Sequence, residues 1–153
     1  LKAAGTMPTK SAEDHLNNSR LGALAESLVK TFLLEYCDFA YDTMEKHPAD
    51  LICELGSAMY SIQVKARSKT NEGKYVFATE NSRNQSETYR RYHVDIVAFV
   101  FMPDKRILFK SNADSQSYFT YNQDILQPDM ELQSFKDTLD QLSSIPTLNP
   151  ILK

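Results

Sequence analysis

With 153 residues, 42% of them hydrophobic, the chain is long enough for one compact domain with a real core. A formal charge of −3 and a pI near 5.6 argue against a non-specific nucleic-acid coat protein, while leaving room for a localised basic face. The two cysteines, Cys37 and Cys53, lack CxxC spacing and are too few for a disulfide framework or a cysteine zinc site; they read as reduced, buried thiols of a cytoplasmic protein.

In chain order, residues 1–12 read as a disordered tail, with Met7 as the natural start and Leu1 to Thr6 as an added scar. Residues 13–153 read as a single domain, without internal repeats, a signal-peptide core or an apolar run of membrane-spanning length. A helix is expected from Glu13 to about Tyr36. Leu21, Leu24, Leu28 and Phe32 recur at three- and four-residue spacing, widened by Ala25 and Val29. Ser11 and Asp14 offer an imperfect cap upstream. Gly22 interrupts the pattern one turn before Glu26. It is either a place where another backbone comes close or a tolerated glycine costing about 1 kcal/mol.

After the helix, Pro48 and Gly56-Ser57 punctuate two or three short strands. Leu51–Glu54 and Ala58–Arg67 form a hairpin. On the second strand Tyr60, Ile62, Val64 and Ala66 make the apolar face, and Ser61, Gln63, Lys65 and Arg67 the polar one. A turn leads to another strand, Lys74–Thr79. Ser86 then caps a short helix, Glu87–Tyr92. Val94–Met102 is apolar except for Asp95 and reads as a strand buried on both faces. Arg106–Lys110 is the last strand, and a helix over Leu132–Leu142 precedes a Pro-punctuated tail. Helix, three strands, helix, two strands and a helix imply a mixed α/β domain with one sheet flanked by helices.

Charge is uneven along this order. Residues 61–93 hold seven basic side chains (Lys65, Arg67, Lys69, Lys74, Arg83, Arg90, Arg91) against three acids, a balance of +4. Residues 112–153 hold six acids against two lysines, a balance of −4. An anion would therefore land on the middle of the chain.

One constellation carries chemistry. Asp50 opens the first hairpin strand, Gln63 and Lys65 share the polar face of the second, and Glu26 lies on the preceding helix. Phosphodiester hydrolysis needs a Lewis acid on the phosphate and a water deprotonated near neutral pH. Mg²⁺, or Mn²⁺ in its place, supplies both with a few hard oxygens and retained waters. Asp50 offers a charged oxygen, Gln63 an amide oxygen, and Val64 a backbone carbonyl. Lys65 would polarise the attacking water or offset developing charge. Taken singly, each residue also has a plain role: Gln63 and Lys65 as the wet face of an edge hairpin, Asp50 as a strand-entry residue, Glu26 as a surface charge.

The stretches "LGALAESLVKTFL", "HPADLIC", "SIQVKAR" and "YRRYHVDIVAFV" together resemble the PD-(D/E)XK nucleases, over about Leu21 to Met102. Gln63 departs from the name pattern. Gln stands there in Holliday-junction-type branches and in small intron-encoded homing endonucleases, and the latter are the nearest in kind. The resemblance implies a restriction-endonuclease-like core, αβββαβ, and a Mg²⁺-dependent endonuclease on double-stranded DNA. Asp50, Gln63 and the Val64 carbonyl would hold metal, Glu26 would assist through a water or second metal, and Lys65 would be the charge-stabilising group. Arg67, Lys69, Lys74 and Arg83 would contact DNA. Cutting two strands with one site per chain implies a homodimer or homotetramer. The alternatives are a repair or junction-resolving nuclease of the same fold, and a non-catalytic DNA-binding module whose metal site has decayed at Gln63.

The remaining candidates are weaker. His15, His47 and His93 do not pair at zinc-ligand spacing. His47 reads as a loop histidine that could touch phosphate. Tyr89 and Tyr92, beside Arg90 and Arg91, either grip a DNA backbone or pack under snorkelling arginines.

Overall fold

A computed structural model of the chain describes residues 12–78, 94–112 and 118–143. The expected tail, the Ser86-capped helix with its Tyr–Arg cluster, Arg83, Thr79, His93 and the Pro-punctuated end lie outside the described residues.

Helix α1 runs Ala12–Tyr36, followed by strands β1 (Phe39–Asp42), β2 (Leu51–Leu55), β3 (Ala58–Arg67), β4 (Lys74–Ala78), β5 (Ile96–Phe101), β6 (Arg106–Ser111) and β7 (Tyr118–Asn122). A single 3₁₀ turn at Gln123–Ile125 leads to helix α2, Met130–Ser143. Five strands form a central sheet in the order β1-β2-β3-β5-β6. The β3–β5 pair is parallel and the other pairs are antiparallel, so the sheet is mixed. This is an α/β fold with a central mixed sheet flanked by helices.

The apolar run in β5 explains the layering, because all six of its residues are buried. Ile96, Ala98 and Val100 face one core with Ala25, Val29, Phe32 and Leu33 of α1 and with Phe135 and Leu142 of α2. Val97, Phe99 and Phe101 face a second core with Tyr75 and Phe77 of β4 and Phe119 of β7. Alternation by one residue thus feeds two cores from one strand. The Phe77 and Phe99 rings lie 4.8 Å apart, and Phe101 meets Tyr75 edge-on at 5.0 Å.

Two expectations need correction here. Strand β4 does not join the main sheet; it pairs with β7 in a separate two-stranded sheet that lies over the second core. The additional strand of the main sheet is β1, and β7 follows the strand at Arg106–Ser111 that was expected to be the last. In α1, Leu24 lies outside the buried stripe and is 42% exposed, because Leu21, Ala25, Leu28, Val29 and Phe32 already fill the inward arc.

Asp95, the polar exception in the β5 run, accepts bonds from the Ser61 N–H at 2.9 Å and the Ser61 hydroxyl at 3.3 Å, fastening the starts of β3 and β5. At the far edge, α2 covers the outer side of β6. Glu131 Oε2 accepts the Ile107 N–H at 3.1 Å and the Arg106 Nε–H at 2.6 Å, and Ser134 Oγ accepts the Phe109 N–H at 3.0 Å. Side chains of a helix thereby satisfy strand groups that would otherwise invite pairing with another chain. Cys53 is buried and Cys37 half-buried, and both are free.

Phe99 is fully buried against three rings from the small sheet. Phe99→Ala should therefore lower unfolding free energy by about 3–5 kcal/mol, read as a shifted urea midpoint with an unchanged slope.

Candidate functional site

The site begins where β2 and β3 part. Their ladder ends at the Leu51–Ile62 pair, while β3 continues five residues further to Arg67 alongside β5. The Asp50 N–H also bonds to the Ile62 carbonyl, at 2.8 Å. Two successive residues, Asp50 and Leu51, thus address one, the pattern of a β-bulge, which turns a side chain out of the strand's regular alternation. Asp50 uses that freedom to reach along β3, and its Oδ2 accepts the Val64 N–H at 2.7 Å. A carboxylate takes over the ladder position that β2 has left.

The notch so formed gathers several of the sequence-derived residues. The N–H and C=O of one strand residue point to the same side. The Val64 carbonyl therefore faces the notch, as its N–H does. Gln63 donates its amide Nε2–H to the Pro48 carbonyl at a long 3.4 Å, which turns its amide oxygen the other way. Lys65 lies near enough to Asp50 to favour its charged form, as does His47. His47 is held by its own Nδ1, which accepts the Ala49 N–H at 3.0 Å.

Glu26 arrives from the other side. Parallel pairing with Val97 and Phe99 puts Gln63 and Lys65 on the face away from α1, whereas Glu26 belongs to α1 itself. The notch is where the two faces meet, since β2 is absent there. Burial raises the Glu26 pKa, and the negative charges of Asp50 and Asp42 raise it further. Burial also raises that of Asp50, partly offset by the Val64 hydrogen bond, Lys65 and His47. Asp42 is drawn off by Lys30 at 2.9 Å.

Among the described residues no group of three His, Cys, Asp or Glu side chains is set to hold a metal ion. The oxygens at the notch are of another kind: the second oxygen of Asp50, the Val64 carbonyl and the Glu26 carboxylate, with the Gln63 amide held alongside on the Pro48 carbonyl. Two carboxylates that disfavour each other's charge, beside neutral hard oxygens, are a donor set compatible with a small divalent cation that keeps several waters.

Of the residues expected to meet DNA, Arg67, Lys69 and Lys74 are exposed, the first two at the end of β3 beyond the notch. Gly22 is not a site of close backbone approach, because a Cβ there would meet nothing within 4 Å. His47, read from the sequence as a loop histidine, lies beside Asp50, three residues before it in "HPAD". Asp42 is the neighbour the sequence did not single out, and it has no signal short of the β1–β2 register.

Comparison with solved structures adds the backbone's testimony. The chain is similar to a bacterial homing endonuclease, I-Ssp6803I, with a TM-score of 0.58 at 12% identity, over 89% of this chain and 99% of that one. The chain shares that structure's fold, a central mixed sheet flanked by helices with a restriction-endonuclease-like core. A Holliday junction resolvase, Hjc from the archaeal hyperthermophile Archaeoglobus fulgidus, overlaps at a TM-score of 0.47 and 15% identity, over 68% of this chain and 85% of that one, a likeness too loose to weigh. No protein-family model matches the chain, and no curated protein does. The fold is thus shown by shape alone, and any side-chain role rests on the notch itself.

A raised carboxylate binds its proton more tightly folded than unfolded. It therefore withdraws stability as pH rises from the ordinary carboxylate value through the raised one. Glu26→Gln should raise the melting temperature at about pH 7, on the order of 2 °C, and the gain should vanish by about pH 3, where Glu26 is protonated in both states. Thermal denaturation at the two pH values checks the sign.

Proposed function

We propose that the chain is a metal-dependent endonuclease that hydrolyses phosphodiester bonds of double-stranded DNA. The observation that carries this reading is the convergence of Glu26, Asp50 and Lys65 at the notch, on the nuclease fold. Asp50, Gln63 and the Val64 carbonyl would hold Mg²⁺ or Mn²⁺, and Glu26 would act through a water or a second ion. Such an ion supplies a Lewis acid for the phosphate and a water of lowered pKa.

The chain's own groups do the rest. Asp50 keeps one oxygen on the Val64 N–H, so its other oxygen is held in a fixed direction. Lys65, on the outer face of β3, places a positive charge where the pentavalent phosphate gathers negative charge. Glu26, with its affinity for a proton raised, is suited to accept one from an attacking water. Arg67, Lys69 and Lys74 extend positive charge away from the notch, the pattern that positions a phosphate backbone, and Arg83 would join them.

The finer reading is a site-specific homing endonuclease, supported by Gln63 and by the likeness to a homing endonuclease along most of the chain. Two cuts from chains with one notch each call for a homodimer or homotetramer. No helix among the described residues is long and apolar enough to cross a membrane. A DNA-associated, cytoplasmic protein is the corresponding setting.

Lys65→Ala should reduce plasmid cleavage in Mg²⁺ by about 10²-fold or more, with DNA affinity within a few-fold of the parent in a gel-shift titration. Unchanged cleavage would sink the proposed role of Lys65. Asp50→Asn keeps an acceptor for the Val64 N–H but removes the charge. Calorimetric Mg²⁺ titration should show uptake by the parent and little or none by this variant. Uptake by neither, with no cleavage by the parent, would favour a non-catalytic DNA-binding module. Cutting of four-way junctions but of no unique duplex site would favour a junction-resolving enzyme.

A further inference from the structure

Beside the notch lies a cavity of about 470 Å³ between the N-terminal half of α1 and the end of β3. Leu21, Ala66 and Met102 give it apolar surface, while Asn18, Arg67 and Lys69 give it polar groups. Gly22 also lines it, and among the described residues no atom beyond the neighbouring helix backbone lies within 4 Å of the place a Cβ would occupy there. A glycine inside a helix costs about 1 kcal/mol, and no packing among the described residues requires this one. What it does is leave the cavity open.

The chemistry of the walls selects the occupant. Among the described residues no carboxylate pairs with Arg67 or Lys69, so the cavity can receive an anion. Its volume exceeds what a bare phosphate needs and falls within the roughly 300–1,000 Å³ of ligand pockets. The apolar surface asks for a flat or ring-shaped group, and the Asn18 amide offers a donor and an acceptor together, as a base edge requires. Position agrees with composition. Gly22 precedes Glu26 by four residues, about 6 Å along the helix axis, and Ala66 directly follows Lys65. The cavity is therefore one short step from the notch on both of its walls.

We propose that this cavity holds one nucleotide of the DNA strand, next to the phosphate that is cut, with its phosphate on Arg67 and Lys69 and its base or sugar on Leu21, Ala66 and Met102. The assignment rests on the DNA-cleaving reading for its place in the substrate. Its test is separate, because it needs neither metal nor cleavage.

The full chain is titrated with dAMP in the absence of metal, and backbone amide shifts are followed. The Gly22, Ala66 and Lys69 amides should move together. Gly22→Leu, which fills the cavity, and Lys69→Ala should each weaken apparent affinity roughly tenfold. Gly22→Ala, a smaller filling at a helical position, should melt higher than the parent and also bind dAMP more weakly, which guards against a misfolded leucine variant. Shifts confined to other amides would overturn the assignment, as would Gly22→Leu and Gly22→Ala binding dAMP like the parent. Inorganic phosphate binding as tightly as dAMP would also overturn it, reducing the cavity to an anion hole. A chain that binds dAMP here but cuts no DNA refutes the nuclease reading and supports the cavity. One that cuts DNA without these shifts refutes the cavity alone.

Discussion

The bond from the Val64 N–H to Asp50 Oδ2, 2.7 Å long, is the hinge of this architecture. A strand that outlasts its neighbour leaves backbone groups without a ladder, and such groups in a half-buried setting must find partners. Here the partner is the carboxylate on the chain that is leaving. Because Asp50 replaces backbone with side chain, β2 can swing away into the His47–Pro48 segment while β3 stays straight enough to pair with β5 as far as Arg67. The parting creates the notch, and the same residue furnishes the notch with charge. Fold and candidate chemistry thus depend on different oxygens of one side chain.

That economy has an electrostatic consequence. Asp50 is half-buried, and Glu26 and Asp42 stand close by, so three acids gather where Lys30, Lys65 and His47 oppose them. Lys30 is committed to Asp42, and the Glu26 pKa is raised by burial first, then by the charge of Asp50 and then by that of Asp42. A protein selected for stability alone would relieve such crowding with an amide. Retained strain of this kind is characteristic of sites that bind cations or move protons, although ion-pair networks can produce it too.

What the sequence made legible divides along a physical line. Features set by local periodicity could be read: the α1 stripe, the alternation of β3, and the double-faced burial of β5. The order of Glu26, Asp50, Gln63 and Lys65 along helix, strand and strand could be read as well. Features set by long-range pairing could not. β4 and β7 lie forty positions apart between their nearest ends, Ala78 and Tyr118, and each has two inward aromatics, so neither announces its partner. Tyr118-Phe119-Thr120-Tyr121 does carry β-branched and aromatic character, a signal that the surrounding polar residues outweighed. The bulge at Asp50 was equally hidden, because a one-residue slip leaves no mark on composition. Gly22 could be read two ways, as a close backbone approach or as a tolerated glycine, and the open space beside it removes the first.

The strand order gives the uneven charge of the chain a spatial meaning. The notch opens at β2 and β3, whereas α2 and its acids are docked on β6, two strands beyond β3 and so about 10 Å away across the sheet. Glu131 is neutralised there by Arg106, and the other acids of α2 look outward from that edge. Arg67 and Lys69 emerge at the other side, at the end of the strand that carries Lys65. A polyanion approaching a molecule of net charge −3 would be repelled on average, yet the field it meets depends on the side it approaches. At about 8–10 Å of screening length in physiological salt, the acidic edge is largely hidden from a strand already lying along β3. An acidic protein can therefore present a basic path to a polyanion, and the sheet order is what keeps the two signs apart.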